Sequence, residues 1–119
     1  MLTGRVFIVA GSGATLGNVA DALVTAQALV AVVGSVPVSA EVAAHFHADP
    51  ADESVWQRVV PHVEQRLGPI DGIVTDEAAH AIGERLVGPD FGRRGHGAVI
   101  AVGDASDVEG ILRMLVDTL

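Results

Sequence analysis

The sequence predicts one α/β domain over residues 1–119, in which about five parallel strands form a sheet between two layers of helices. Short runs rich in Val, Ile and Ala alternate along the chain with segments of helical periodicity. The length of 119 residues suits one domain. With three Phe, one Trp and no Tyr, the core must be aliphatic, which is typical of parallel strands buried on both faces.

The predicted strands cover residues 5–10, 29–33, 45–48, 70–75 and 98–102. Right-handed crossovers between parallel strands favour the order 3-2-1-4-5, with helices on both faces of the sheet. A single helical turn is predicted over residues 39–44, between the second and third strands.

The predicted helices begin and end at recognisable signals. The first covers residues 15–26, the third covers residues 76–86, and a loop is predicted over 88–97. Asp49 is predicted to cap the second helix, with Pro50 in its first turn and Gly68 at its end. Ser106 and Glu109 predict a capping box for the last helix. The residues predicted to face the core are Val19, Ala22, Leu23, Ala26, Trp56, Val60, Val63, Leu67, Ala79, Ile82, Leu86, Val108, Ile111, Leu112, Leu115 and Leu119.

Composition excludes several classes of partner. The net charge is -8 and every basic residue is Arg, which argues against nucleic acid or an anionic membrane as partner. The absence of Cys excludes disulfide and thiol chemistry. The apolar stretch 20–38 is interrupted by Asp21, Gln27, Gly34 and Pro37, so no membrane span is predicted. The first apolar run, 6–10, is too short for a secretion signal. We therefore expect a cytoplasmic protein, and the Lys-free, Ala- and Val-rich composition is typical of a bacterial genome of high GC content.

The first strand leads into G-S-G-A-T-L-G at residues 11–17, which resembles the phosphate-binding turn of short-chain dehydrogenases/reductases. Segments 2–6, 67–74 and 97–102 resemble further parts of that family in the same order. The resemblance implies a Rossmann-like fold and an NAD(P) cofactor, with Asp49 near the adenine ring. The implied contacts at the turn are Gly11, Ser12, Gly13, Thr15, Leu16 and Gly17.

The departures from the family are as informative. Thr15 stands where the family has a glycine, and its side chain is expected to crowd the pyrophosphate. Residues 34–36 offer neither an acid for a ribose hydroxyl nor an Arg for a ribose phosphate, and T-D-E-A at 75–78 replaces the family's N-N-A-G. The catalytic Tyr and Lys of the family are missing. The chain is therefore expected to resemble a shortened N-terminal half of such an enzyme and not to work as a dehydrogenase on its own.

A second group of polar residues follows the fourth and fifth strands. Asp76, Glu77, His80, Asp104 and Ser106 are candidates for acid or base catalysis, because ligands of such sheets bind at the carboxyl edge. Glu77 and His80, three residues apart on a helix, could bind a metal or exchange protons. We favour the simpler interpretation that the acids occupy a first helical turn and Ser106 caps the last helix.

The remaining histidines predict no metal site. His45 and His47 share one face of a short strand, but no third ligand is close in sequence, so edge exposure is the favoured interpretation. His62 and His96 are predicted to lie at the surface.

Three functions are open at this point. The favoured one is a non-catalytic or auxiliary protein that forms a homodimer or joins a larger protein, because the fifth strand is an edge that the last helix or a second subunit must cover. The second is an NAD(P)-binding oxidoreductase, or a subunit of one, whose partner supplies the catalytic residues. The third is a repurposed enzyme that uses the acid and base candidates. The cofactor is accordingly none or NAD(P).

Overall fold

A computed structural model describes residues 3–38, 41–94, 97–102 and 108–118. In this part of the chain, strands and helices alternate except where β3 follows β2 directly. The elements are β1 (Val6–Ser12), α1 (Ala14–Thr25), β2 (Leu29–Ser35), β3 (Ala44–Phe46), α2 (Glu53–Leu67), β4 (Gly72–Thr75), α3 (Glu77–Arg94), β5 (Ala98–Ala101) and α4 (Val108–Thr118).

The strands form one sheet in the order β3-β2-β1-β4-β5, and every pairing is parallel. The predicted order is therefore confirmed. Strand β1 is central: it pairs with β2 from Val6↔Leu29 to Ser12↔Ser35 and with β4 up to Ala10↔Thr75. Because the strands are parallel, their carboxyl ends lie at one edge of the sheet, where ligands of such folds bind.

Two apolar layers, one on each face of the sheet, make the core. Successive side chains of a strand point to opposite faces. Phe7 and Val9 therefore belong to the layer under α1 and α4, while Val6, Ile8 and Ala10 belong to the layer under α2 and α3. Helix and sheet residues together close both layers, which gives the three-layer Rossmann-like sandwich that the sequence predicts.

Trp56 fixes helix α2 against α3. The indole is 1% exposed, and its Nε1–H donates to the Pro50 carbonyl oxygen at 2.6 Å, which satisfies the only polar atom of the ring. A Cβ at Gly83 of α3 would lie 3.2 Å from the indole, so the missing side chain lets the ring pack closely. The other predicted core positions of α2 divide into buried Val63 and half-buried Val60 and Leu67.

The predicted start of α2 is wrong by three residues. The helix begins at Glu53, and Asp52 is its N-cap, whose Oδ1 accepts from the Ser54 N–H at 2.9 Å. Asp49 Oδ1 instead accepts from the Ala51 N–H at 2.9 Å in the turn before the helix. Both Asp residues satisfy a nearby N–H, so sequence alone does not say which one caps the helix.

Two further predictions need correction. Helix α3 continues to Arg94 in place of the loop predicted over 88–97, because buried Val87 holds this turn in the core although Pro89 removes one backbone donor. The predicted turn over 39–44 is not helical at residues 41–43, and Ala44 begins β3 by pairing with Ala31. Ser106 and Leu119 lie outside the described residues.

Asp71 ties the start of β4 to the start of β1. Its Oδ2 accepts from the Val6 N–H at 2.9 Å, and its own N–H donates to the Val6 carbonyl oxygen at 2.8 Å. Arg5 Nη1 lies 3.5 Å from Asp71 Oδ1, with the Arg5 side chain 44% exposed. The main structural role of the Asp71 carboxylate is therefore to accept the hydrogen bond of the buried Val6 N–H. Its ion pair with Arg5 is secondary.

We predict that Asp71→Ala lowers the free energy of unfolding by about 1–3 kcal/mol, because the Val6 N–H loses its acceptor in the core. Arg5→Gln should cost less than about 1 kcal/mol, since the pair is solvent-screened. Urea unfolding followed by the fluorescence of Trp56 measures both. Equal losses in the two variants would contradict the assignment.

A second prediction concerns pH. Hydrogen bonds from the Ser54 hydroxyl and then from the Ser54 N–H lower the pKa of Asp52 below its ordinary value. A lowered pKa in the folded state stabilises the protein above the ordinary carboxyl pKa, and this stabilisation is lost as the pH falls through the lowered pKa. The difference in unfolding free energy between wild type and Asp52→Asn, whose amide cannot titrate, should therefore shrink on acidification.

The Ala variants provide the matched control for the cap. Asp52→Ala should lower the free energy of unfolding more than Asp49→Ala, because only Asp52 binds an N–H inside the helix. Urea unfolding at neutral pH compares the two. A larger loss of unfolding free energy in Asp49→Ala would instead support Asp49 as the N-cap of α2.

Candidate functional site

A cleft of about 490 Å³ opens at the carboxyl ends of the central strands. It lies beside β1, where the strand order reverses because β2 is on one side of β1 and β4 is on the other. This is the usual ligand position in a doubly wound sheet. The lining residues are Gly11, Ser12, Gly34, Ser35, His47, Ala48, Asp49, Pro50, Ala51 and Asp76.

The glycine turn, residues 11–17, joins β1 to α1, and its first two residues line this cleft. Gly13 is the N-cap of α1 at φ 102°, and no side chain caps the helix. Gly17 is buried one turn later, where a Cβ would overlap the Pro37 carbonyl oxygen. Gly17 thus allows α1 to pack closely against the segment after β2.

The residues that the family resemblance implies for the cofactor separate into two groups. Gly11, Ser12 and Asp49 line the cleft. Leu16 is 1% exposed with its side chain in the core, and Thr15 is half-buried. Gly13, Thr15, Leu16 and Gly17 are not among the cleft-lining residues.

Asp76 binds the glycine turn directly. Its Oδ2 accepts from the Ser12 N–H at 3.2 Å, while Oδ1 accepts from the Ala79 N–H at 3.0 Å and so caps α3. A Cβ at Gly11, whose φ is 141°, would lie 2.6 Å from the carboxyl carbon of Asp76. The turn therefore carries a fixed carboxylate on one of the N–H groups that could otherwise face an anion.

The charges of the cleft oppose a phosphate. Asp49 and Asp76 both line it, and among the described lining residues there is no Arg. Ser35 ends β2 with a hydroxyl only, so the position where the family binds ribose carries neither acid nor base. A pyrophosphate placed on the glycine turn would meet the carboxylates of Asp49 and Asp76, and His47 is the one basic side chain among the described lining residues.

His80 is partnered by its own helix. Its Nε2 lies 3.1 Å from Glu84 Oε2, one turn on, and its Nδ1 lies 3.4 Å from Thr75 Oγ1. The acid that pairs with His80 is therefore Glu84, one turn after it, while Glu77 is exposed. The i,i+4 spacing was the available sequence signal for Glu84. Asp104 and Ser106 lie outside the described residues.

His45 and His47 do share one side of the edge strand, with their rings stacked at 4.2 Å between centroids. His45 Nε2 lies 3.1 Å from the Gly34 carbonyl oxygen, and because a carbonyl only accepts, Nε2 carries the proton there. His62 is exposed as predicted, and His96 lies outside the described residues. Within the described ranges, no three His, Asp or Glu residues are arranged to hold a metal ion.

The described helices include none that is long and apolar enough to cross a membrane.

No protein-family model and no curated protein matches the chain. Solved structures do match it. A short-chain dehydrogenase/reductase of Serratia marcescens, in a form with two Phe residues replaced by Leu, is 27% identical with a TM-score of 0.52, over 62% of this chain and 35% of its own. A second form of that enzyme, with one Phe replaced by Ala and one by Leu, gives the same identity and TM-score, over 62% of this chain and 36% of its own.

A short-chain dehydrogenase/reductase of Burkholderia xenovorans is 20% identical with a TM-score of 0.61, over 82% of this chain and 55% of its own, and this likeness supports the fold. The chain thus spans between about a third and about a half of the length of these relatives. With its 3-2-1-4-5 parallel sheet and its glycine turn, this chain has a Rossmann-like fold that resembles part of these short-chain dehydrogenases/reductases.

Proposed function

We propose that this chain is a non-catalytic, auxiliary protein built on the short-chain dehydrogenase/reductase scaffold, which acts by associating with itself or with a larger protein. The observation that carries the proposal is the Asp76 carboxylate bound to the Ser12 N–H of the glycine turn. An internal anion occupies a donor that a cofactor phosphate would need. The sequence also contains no Tyr and no Lys, the residues that the family uses for hydride transfer.

The surroundings of Asp76 support a permanent role for this contact. Oδ1 is engaged by Ala79 and the Asp76 N–H donates to the Ala10 carbonyl oxygen at 3.2 Å, so the residue is held from both β1 and α3. Moving the carboxylate away from the turn would also uncap α3. Cofactor binding would therefore have to overcome both the repulsion and the loss of the cap.

We predict that Asp76→Asn binds NAD(P) at least about tenfold more tightly than the wild type, because the amide still caps α3 but no longer repels phosphate. Calorimetric titration with NAD and NADP, each oxidised and reduced, measures this. The wild type should give no binding heat in the micromolar range with any of the four.

Glu77→Gln is the matched control. It removes the same formal charge from the neighbouring exposed position without a bond to the turn, and it should leave cofactor affinity unchanged. Micromolar binding by the wild type would overturn the proposal. An equal gain in Glu77→Gln would show that net charge, and not the contact of Asp76, decides affinity.

The second candidate is a cofactor-binding subunit of an oxidoreductase whose partner supplies the catalytic groups. It is favoured by one observation: Gly11, Ser12 and Asp49 line the same cleft at the carboxyl edge of the sheet. In this case a partner chain would displace Asp76 or supply the missing cation. Cofactor binding that occurs only with the partner present would select this function over the first.

Self-association is proposed through the outer edge of β5. Within the described residues, β5 pairs only with β4, so its other side presents unpaired backbone groups. Ala101 at the end of this strand is exposed. We also propose a cytoplasmic location and a bacterial source, of which the bacterial source is supported by the organisms of the similar solved structures.

We predict a homodimer at micromolar concentration, which Ala101→Lys converts to monomer, because a charge on an edge strand opposes strand pairing. Ala81→Lys adds the same charge at an exposed position of α3 and should remain dimeric. Light scattering coupled to size exclusion gives the mass of each. A monomeric wild type would overturn this part of the proposal.

A further inference from the structure

A second groove, of about 430 Å³, lies beside the edge strand β3 and helix α2. It is not part of the glycine-turn cleft, although the two share His47 and Ala48. The groove is lined by His45, Phe46, His47, Ala48, Val55, Arg58, Val59 and His62. Its volume is that of a small-molecule site.

Aromatic rings gather at this groove in a chain that has few of them. The chain holds three Phe, one Trp and five His, and four of these rings line the groove. His45 and His47 stack with their planes 24° apart, and Phe46 meets His62 edge-on with centroids 5.5 Å apart. Buried Val55 and Val59 form the apolar base. Flat ring faces above an aliphatic base favour a planar ligand.

The charge of the groove is opposite to that of the glycine-turn cleft. Arg58 is exposed at its rim, and its Nε–H donates to the Ser54 carbonyl oxygen at 3.4 Å, which directs the chain along α2. The nearby Asp52 carboxylate is bound by the Ser54 hydroxyl and N–H, and its charge also interacts with that of Arg58. Among the described lining residues there is no acid, although the chain carries a net charge of -8. A guanidinium beside an apolar surface is suited to a carboxylate.

We propose that this groove binds a small planar aromatic carboxylate. The ring system lies against Phe46 on the α2 side of β3, where Val59 forms the apolar base, and the carboxylate accepts hydrogen bonds from the Arg58 guanidinium. The His45–His47 pair borders the groove from the other face of the strand. His62, at the far side of Phe46, closes the groove from α2. This inference depends on neither the cofactor nor the dimer, since it uses residues outside the glycine turn and β5.

The test uses 2-naphthoate and its neutral amide, 2-naphthamide, with the full chain. The two probes share ring, size and shape and differ in the charge that Arg58 would bind. Naphthoate should shift the imidazole NMR resonances of His45, His47 and His62 in a saturable manner, and the amide should bind at least about tenfold more weakly. Equal affinity for the two probes, or no shift in the millimolar range, would overturn the proposal.

Arg58→Gln and Arg66→Gln separate a specific contact from general electrostatics. Both arginines are exposed on α2, but Arg66 does not line the groove. Arg58→Gln should remove the preference for naphthoate over naphthamide while leaving amide binding unchanged. Arg66→Gln should keep the wild-type preference. The same loss in both variants would show that the charge of the helix, and not the guanidinium of Arg58, selects the acid.

Discussion

The parallel pairing of β1 with both β2 and β4 is the constraint on which the rest of this structure depends. Strand β1 is buried on both faces, and its registers with β2 and β4 run to the carboxyl end of each strand. The register sets Gly11 opposite Gly34 and brings Asp76, directly after β4, against the turn. Asp71 secures the other end of the same pairing through the Val6 N–H. The cleft is therefore a consequence of how β1 is held.

The contact between Asp76 and Ser12 gives this cleft a chemistry unlike that of a phosphate site. A helix N-terminus with free N–H groups attracts anions, and here the chain itself supplies the anion. The same carboxylate caps α3, so one side chain serves the folding of a helix and the blocking of a turn. The glycine turn also has structural reasons of its own, because the tight strand-to-helix turn and the packing of Gly17 against the Pro37 carbonyl oxygen each favour glycine.

The two clefts lie on either side of His47 and differ in the charge of their lining side chains. The glycine-turn cleft carries Asp49 and Asp76, whereas the groove beside β3 carries Arg58 and no acid among its described lining residues, and His47 borders both. Local sequence explains the separation: the acids occupy turns and helix starts, while Arg58 lies in the second turn of α2. On a protein with a net charge of -8, this groove differs from the acidic surface because its described lining residues include an Arg and no acid, which favours an anionic ligand.

Sequence by itself determined the fold class, the strand order and the glycine turn, because aliphatic runs and helical periodicity are local signals of burial. It also placed Asp76 near the turn, since parallel strands end at a common edge. Tertiary structure decided which Asp caps α2, because Asp49 and Asp52 both suit a helix start and differ only in the N–H that each reaches. It also decided that α3 continues beyond Pro89, because the burial of Val87 depends on packing against the sheet and not on local sequence preference. Only packing in three dimensions brought Asp76 onto the Ser12 N–H and collected the rings of β3 and α2 around one groove.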